Sequence, residues 1–367
     1  MYRLSRKPIQ FTKQVNNDEI YGNNLPRFTL NKRIIKNTQP KPVFKPVTQP
    51  KPVFKPVIDF SIRKIYIFSR IYTKFMAETL ENYFNQLNLE VKLFFTNLTN
   101  EIIDECSKDR NLYLFFIAPH MILYQSQKAI KGALKELPKN KYILYQPEQY
   151  NQPHIPKLDI KLIENCYTIF DYSTINLQYY PDHLRENVKL LSPLIKQPQF
   201  EVIDSQQQSD KEITILFIGL LNERRAKILN ELKNYNSLNN LNYVIKIVNN
   251  VFGDELIKLI KKSKIVINLH YYPNAILEIF RIHDLLPYDC KILSENPGNE
   301  EEMDLVEKYN KVVHFFPVIN DDLSNIDKMY KLISDNLANE IDLVERKKFI
   351  DEINGENKNC LEFNFLY

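Results

Sequence analysis

Cysteine is scarce in this 367-residue chain: Cys106, Cys166, Cys290 and Cys360 lie far apart. That spacing excludes a CxxC metal pair and a local disulfide framework, and a reducing compartment is the simpler expectation. No run of about 18 apolar residues occurs, and the opening MYRLSRKPIQF lacks the apolar centre of a signal peptide. A cytoplasmic protein without a transmembrane segment is therefore expected. A strong basic surplus is also missing, with 49 Lys and Arg against 45 Asp and Glu, which excludes the charge imbalance of a typical nucleic-acid binder. The small excess sits near the N-terminus. Neither HExxH nor a DxD-centred site occurs, and His154, His183 and His314 are not at metal-ligand spacing, so neither a bound metal nor a cofactor is expected.

What is present suits a globular protein. Hydrophobic residues make up 44% of the chain, with 22 Tyr and 22 Phe, enough for two cores, and the length fits two domains plus tails. Residues 38–57 are a tandem repeat, TQPKPVFKPV twice over. Proline so frequent favours an extended polyproline-like spacer, with a proline-recognising partner as the alternative. Residues 1–58 read as a disordered basic arm.

Beyond the arm, short apolar runs alternate with amphipathic stretches. Strands are expected at 65–68, 91–95, 112–118, 142–145 and 168–170, with a helix over 75–87 after the first. The alternation restarts after the polar break DSQQQSDKE at 204–212. Strands are expected there at 213–218, 243–248, 265–269, 291–293 and 312–316. Helices are expected at 223–232, 254–260, 275–286 and 300–309, with a last long one from 321. Apolar strands alternating with helices imply parallel sheets covered on both faces. The organisation expected is an α/β protein of two Rossmann-like domains, 59–203 and 212–340, facing a central cleft, followed by a helical tail at 341–367 whose Phe363, Phe365 and Tyr367 pack onto a domain.

Chemistry concentrates in the second half. In FIGLLNERRAKIL, Gly219 follows a strand and Arg224 and Arg225 open a helix, which lets backbone and guanidinium approach a phosphate. In KIVINLHYYPNAILEIFRIHDLLPYDCKILSE, residues 264–295, Asn268 and His270 stand at the carboxyl end of a strand, where open sheets place ligands. Asn274 reads as the N-cap of a helix from Ala275. Glu278 and Arg281 then share one helical face, as a surface ion pair or as a ligand pair, with Glu278 accepting from two ribose hydroxyls. Ser294 and Glu295 follow the next strand, placed for the nucleotide or the sugar. In the first half, His120 follows the third strand, where it either bonds backbone or orients and deprotonates an acceptor hydroxyl with an imidazole suited to neutrality. Glu148 and Gln149 lie beyond the fourth strand as acceptor contacts, and Asp171 and Ser173 after the fifth are weaker candidates. His283 falls on another part of the helix and reads as structural.

FIGLLNERR, INLHYYPNAILEIFRIHDLL and CKILSE together resemble the donor half of GT-B glycosyltransferases. The chain is similar to bacterial capsule- and glycan-modifying transferases and to related proteins of large DNA viruses. The likeness covers residues 213–318, and is thinner over YILYQPEQYN and TIFDYSTINLQYY in the first half. It implies a nucleotide-sugar donor in the C-terminal domain, with the diphosphate at Gly219 and Arg225 and the ribose at Glu278, and a glycan or protein acceptor in the N-terminal domain. Leu286 stands where many retaining members carry a second glutamate, so the stereochemistry stays open. A nucleotide-sugar epimerase and a non-catalytic scaffold using its proline-rich arm are the alternatives.

Overall fold

The computed structural model describes residues 62–129, 133–150, 152, 155, 157–200 and 211–362. The proline-rich repeat and the rest of the arm to residue 58, His154, most of the break at 204–212, and Phe363, Phe365 and Tyr367 lie outside the described residues.

Two parallel sheets organise the described chain. The first contains β1 (Lys64–Phe68), β2 (Glu90–Phe94), β3 (Leu112–Ile117), β4 (Tyr142–Gln146), β5 (Thr168–Asp171) and β6 (Val188–Leu190), in the order β2-β1-β3-β4-β5-β6. Helices α1 (Lys74–Gln86), α2 (Asn100–Lys108), α3 (Pro119–Ala129), α4 (Ile160–Asn165) and α5 (Asp182–Arg185) connect them. β3, LYLFFI, is buried at every position, because both faces are covered: Phe115 and Ile117 face one core, and Leu112, Leu114 and Phe116 the other. Each fully buried Phe there contributes about 1.5–3 kcal/mol by leaving water.

The second sheet contains β7 (Ile213–Ile218), β8 (Ile245–Val248), β9 (Ser263–Asn268), β10 (Lys291–Glu295) and β11 (His314–Phe316), in the order β11-β10-β9-β7-β8. Its helices are α6 (Glu223–Leu238), α7 (Gly253–Lys261), α8 (Ile279–Leu285), α9 (Met303–Tyr309) and α10 (Ile326–Ala338). The last helix, α11 (Leu343–Leu361), is more than a tail. Its Phe349, Ile350 and Ile353 enter the core of the second sheet, whereas Leu361 enters that of the first. Between them, Asn354 accepts from the Ile195 amide and donates to the Ile195 carbonyl, each at 2.8 Å.

The helix expected from Ala275 begins only at Ile279, with Glu278 as its N-cap in a non-helical conformation (φ −77°, ψ 62°). The correction has a tertiary cause. The Ile276 amide donates to Gln149 Oε1 at 3.2 Å and the Leu277 amide to Glu302 Oε2 at 2.7 Å, so side chains from elsewhere hold the backbone open. Asn274 is not the cap of α8; its Oδ1 accepts from Gln152 Nε2 at 3.3 Å. Gly298 completes the loop, since a Cβ there would stand 2.5 Å from the Asn274 Cα and the Pro273 oxygen. Strand β6 was not expected at all; three residues, VKL, carry no periodicity to read.

Candidate functional site

In the second sheet the strand order reverses between β7 and β9, and open parallel sheets bind ligands outside the carboxyl ends of their strands at such a point. β7 ends there on Ile218 and turns at Gly219, whose φ of +147° strains any side chain. A Cβ on Gly219 would lie 3.2 Å from Arg281 Nη1 and 3.3 Å from Arg225 Nη1, so two guanidinium groups converge on this turn. Asn222 caps α6, accepting from the Arg225 amide at 2.9 Å while its Nδ2 donates to the Tyr271 carbonyl at 2.7 Å. A small pocket beside the turn is lined by Ile218, Asn268, Arg281 and Asp284.

Glu278 is the counter-ion of this region. Its carboxylate is buried, with Oε1 at 3.3 Å from Arg281 Nε and Oε2 at 3.5 Å from His270 Nδ1 and 4.0 Å from Arg225 Nη2. Burial pushes its carboxyl upward, and Arg281, His270 and Arg225 together more than offset that and bring it down to about 2. His270 is its mirror image. Its Nε2 faces the carbonyls of Glu295 at 3.2 Å and Asn296 at 3.0 Å, so this nitrogen must donate. Nδ1 then faces Glu278, and a proton there turns a clash of lone pairs into an ion pair. Burial opposes that charge, but Glu278 and Glu295 hold the imidazole above its ordinary value.

The remaining residues expected at the donor divide by exposure. Arg224 and Glu295 form a buried bidentate pair, and Arg224 also donates to the carbonyls of His270 and Ile319, each at 2.7 Å. Glu295 further accepts from the amides of His270 at 2.6 Å and Ile319 at 2.9 Å. Both nitrogens of the Arg224 fork and both Glu295 oxygens are engaged, leaving only the buried Arg224 Nε without a partner, and together they tie α6 to the ends of β9 and β10. Arg225 is likewise consumed, donating twice to the Leu269 carbonyl and once to that of Leu220. Asn268 donates to Ser294 Oγ at 3.1 Å, and Ser294 donates to the Glu295 carbonyl. Arg281 differs: its side chain is 30% exposed, and its Nη1 donates to the Ile218 carbonyl at 3.2 Å.

The first sheet contributes Glu148, half-buried, which accepts from the Tyr72 hydroxyl at 3.3 Å. Burial raises its carboxyl above the ordinary range, against Tyr72 and Arg281, while Glu278 adds to the rise, so the group senses both charges of the second half. Gln149 spends its oxygen on Ile276. His120 opens α3, and burial drives its imidazole down to about 4, against a smaller upward pull from Gln146. Of the two roles expected for His120, that of a base matched to neutrality fits this lowered value poorly, because a ring so weakly basic holds a proton badly. Asp171 is locked by Ser173, Asn176 and Tyr180 and is structural. His283 is structural as expected, bonded to the Pro193 carbonyl and Tyr309.

No protein-family model and no curated protein matches this chain. Among solved structures, it is similar to AviGT4, a glycosyltransferase involved in avilamycin A biosynthesis. Identity is 11%, the match covers 82% of this chain and 96% of that one, and the TM-score is 0.50. A sucrose-phosphate synthase from Thermosynechococcus elongatus follows at 10% identity, 83% and 98% coverage and TM-score 0.45. HepE from Anabaena, in complex with UDP and glucose, matches at 9% identity, 82% and 95% coverage and TM-score 0.42. The fold is GT-B. At such identities the likeness speaks of fold alone.

Within the GT-B frame, sequence reading missed Asp284, which lines the pocket beside Arg281 and whose carboxyl burial raises to about 6. It also missed Glu302, a buried carboxylate joining Ser173 Oγ at 3.1 Å to the Leu277 amide. Asp284 was legible as the residue three beyond Arg281 on the same helix face; Glu302 gave no local signal. Among the described residues no group of three or more His, Cys, Asp or Glu could hold a metal ion, and no helix is long and apolar enough to cross a membrane.

Proposed function

We propose that this chain transfers a sugar from a nucleotide-sugar donor to an acceptor hydroxyl. One observation carries the reading: at the switch point of the second sheet, an ionised buried carboxylate, Glu278, and a part-exposed guanidinium, Arg281, stand together beside the Gly219 turn. A carboxylate held at about 2 stays an acceptor at every working pH, which suits two adjacent ribose hydroxyls. Arg281 is placed for the diphosphate, where it stabilises the negative charge that grows as the bond to the sugar breaks.

In the step proposed, the acceptor oxygen bonds to the anomeric carbon, the bond from that carbon to the phosphate oxygen breaks, and the nucleoside diphosphate leaves. The acceptor proton passes to Glu148, whose raised carboxyl is the better base on the facing half, because His120 is pushed too low to hold it.

A thermal-shift screen of nucleotide sugars tests this directly, since a ligand that binds only the folded state raises the melting temperature. The expected result is a shift with one donor class, followed by release of its nucleoside diphosphate when an acceptor is supplied. Absence of any shift across the screen refutes the reading, and a rearranged sugar without transfer replaces it with epimerisation.

A further inference from the structure

The first sheet has its own reversal of strand order, between β1 and β3. The residues just beyond those two strands are Ser69 and Arg70 after β1, and Ala118, Pro119 and His120 after β3. Arg70 Nη2 donates to Asn97 Oδ1 at 3.3 Å and to the Met121 carbonyl at 3.2 Å, which ties the two strand ends together.

Arg70 differs from the three arginines around the Gly219 turn; the buried Arg346, which likewise has no carboxylate within 4.0 Å among the described residues, donates instead to the carbonyls of Tyr288, Cys290 and Val312. Arg224, Arg225 and Arg281 each have a carboxylate within 4.0 Å, whereas no carboxylate reaches Arg70 among the described residues. The Nε of Arg70 is buried without a hydrogen-bond partner, as are the Nε atoms of Arg224, Arg281 and Arg346; on the adjoining strand end Nδ1 of His120 and Oε1 of Gln146, the side chain that pulls on that imidazole, have none within hydrogen-bond geometry either. Glu148 does not fill the role, since its carboxylate accepts from the Tyr72 hydroxyl and no ion pair joins it to Arg70 among the described residues. An uncompensated half-buried cation beside an unsatisfied imidazole nitrogen costs stability unless something supplies the missing acceptors. A ligand at a switch point is positioned to do so.

We propose that this crevice binds an anionic group on the acceptor, a carboxylate or a phosphate, with Arg70 as its charged partner and Nδ1 of His120 as a second donor. The guanidinium fork suits both anions, because two parallel N–H groups match two oxygens of either. The surrounding surface fits a sugar carrying such a group. Tyr72 is 40% exposed, and Tyr124, one turn beyond His120 on the same face of α3, is 49% exposed, giving aromatic rings for a sugar face to rest on. Lys128 lies 4.3 Å over the Tyr124 ring and adds positive charge to the same face. This proposal rests on the transferase reading above and names the class of its acceptor: an acidic sugar, either a uronic acid or a sugar phosphate.

The test uses the full chain saturated with UDP, so that the guanidinium groups of the donor half are occupied. D-glucuronate, glucose 6-phosphate and neutral glucose are titrated separately while the ring proton resonances of His120 are followed by NMR, assigned by comparison with His120→Asn. Saturable movement of those resonances with one or both acidic sugars, absent with glucose, is the expected result; which acid acts separates carboxylate from phosphate. Arg70→Gln should weaken that binding about tenfold or more, and Arg70→Lys less, because charge remains without the fork. Bound anion should also raise the His120 titration midpoint. If neither acid moves His120 in the unaltered chain, or glucose acts equally, the proposal fails whatever the variants do. UDP binding, measured by calorimetry in the same samples, reports on the donor reading: intact UDP binding without an acid response sinks this inference alone, and absent UDP binding joined to no shift across the nucleotide-sugar screen sinks the transferase reading.

Discussion

Replacing Glu295 by Gln should damage the fold far more than it changes any contact with a ligand. Glu295 accepts four hydrogen bonds, from Arg224 Nη1 and Nη2 and from the amides of His270 and Ile319, and no part of its side chain is exposed. An amide keeps one acceptor oxygen but turns an NH2 toward two donors, and leaves the buried Arg224 guanidinium without a counter-charge. Breaking a buried pair from one side costs about 3–5 kcal/mol, a large share of the roughly 5–15 kcal/mol that holds a typical protein folded. For a body of this size, that is a fall in melting temperature of roughly 5–8 °C. Thermal unfolding followed by circular dichroism reads it. Replacing both partners, Arg224→Met with Glu295→Leu, should recover more than half of the loss, because neither charge then remains buried. An unchanged melting temperature accompanied by lost nucleotide binding would return both residues to the ligand and refute this account.

Four further outcomes follow from the geometry. Glu278→Gln should weaken the best nucleotide sugar about tenfold or more in calorimetric titration, since hydrogen bonds to a charged acceptor are worth roughly 1.5–3 kcal/mol; equal affinities would remove Glu278 from the site. His270 supports Glu278 only while protonated, and its folded value is raised, so its contribution is complete below about 6.5 and is lost as pH rises through the raised value. Nucleotide-sugar affinity should therefore hold through mildly acid pH and fall on the alkaline side, and His270→Asn should flatten that profile. Glu148→Gln should lower kcat by about 100-fold or more with little change in donor affinity, as a lost general base does; a parallel loss in donor affinity would make it a binding group. Turnover should survive EDTA, because Arg281 meets the charge of the leaving diphosphate; abolition by EDTA and restoration by manganese or magnesium would show otherwise.

Local pattern carried most of the fold. Residues 213–218 were legible as a strand to the residue, because ITILFI is apolar, β-branched and bounded by a polar break and a glycine. The site was legible only where its chemistry is local, as with Glu278 and Arg281 three residues apart. Arg224 and Glu295 are 71 residues apart, and nothing in either segment announces that each consumes the other. The start of α8 was misplaced for the same reason: Ala275, Ile276 and Leu277 continue an apolar helical pattern, while Gln149 and Glu302, from 127 and 25 residues away, claim the amides. Arg70 carried no motif, and its importance lies in a missing partner that only three dimensions reveal.

The two halves of the cleft are joined at the loop that sets Glu278. Gln149, from the first half, holds the Ile276 amide, and Ser173, also from the first half, donates to Glu302, which in turn holds the Leu277 amide. All three hydrogen bonds are buried, and two of them, Ile276 to Gln149 and Ser173 to Glu302, cross between the halves. If the halves separate, Ile276 loses its acceptor and Glu302 loses the Ser173 hydroxyl that positions it, which loosens the hold on the apolar run and favours extension of α8 backward through Glu278, turning its carboxylate away from His270. On the proposed function, the affinity of the donor site is coupled to how the halves lie together, and the coupling is reciprocal: a nucleotide sugar that pairs with Glu278 must favour the joined arrangement by as much as that arrangement favours its binding. Gln149→Ala should accordingly weaken a ligand that Gln149 does not touch, with the loss in affinity matched by a smaller closure signal in small-angle scattering. Full donor affinity in that variant would show that the loop holds Glu278 in place without help from the facing domain.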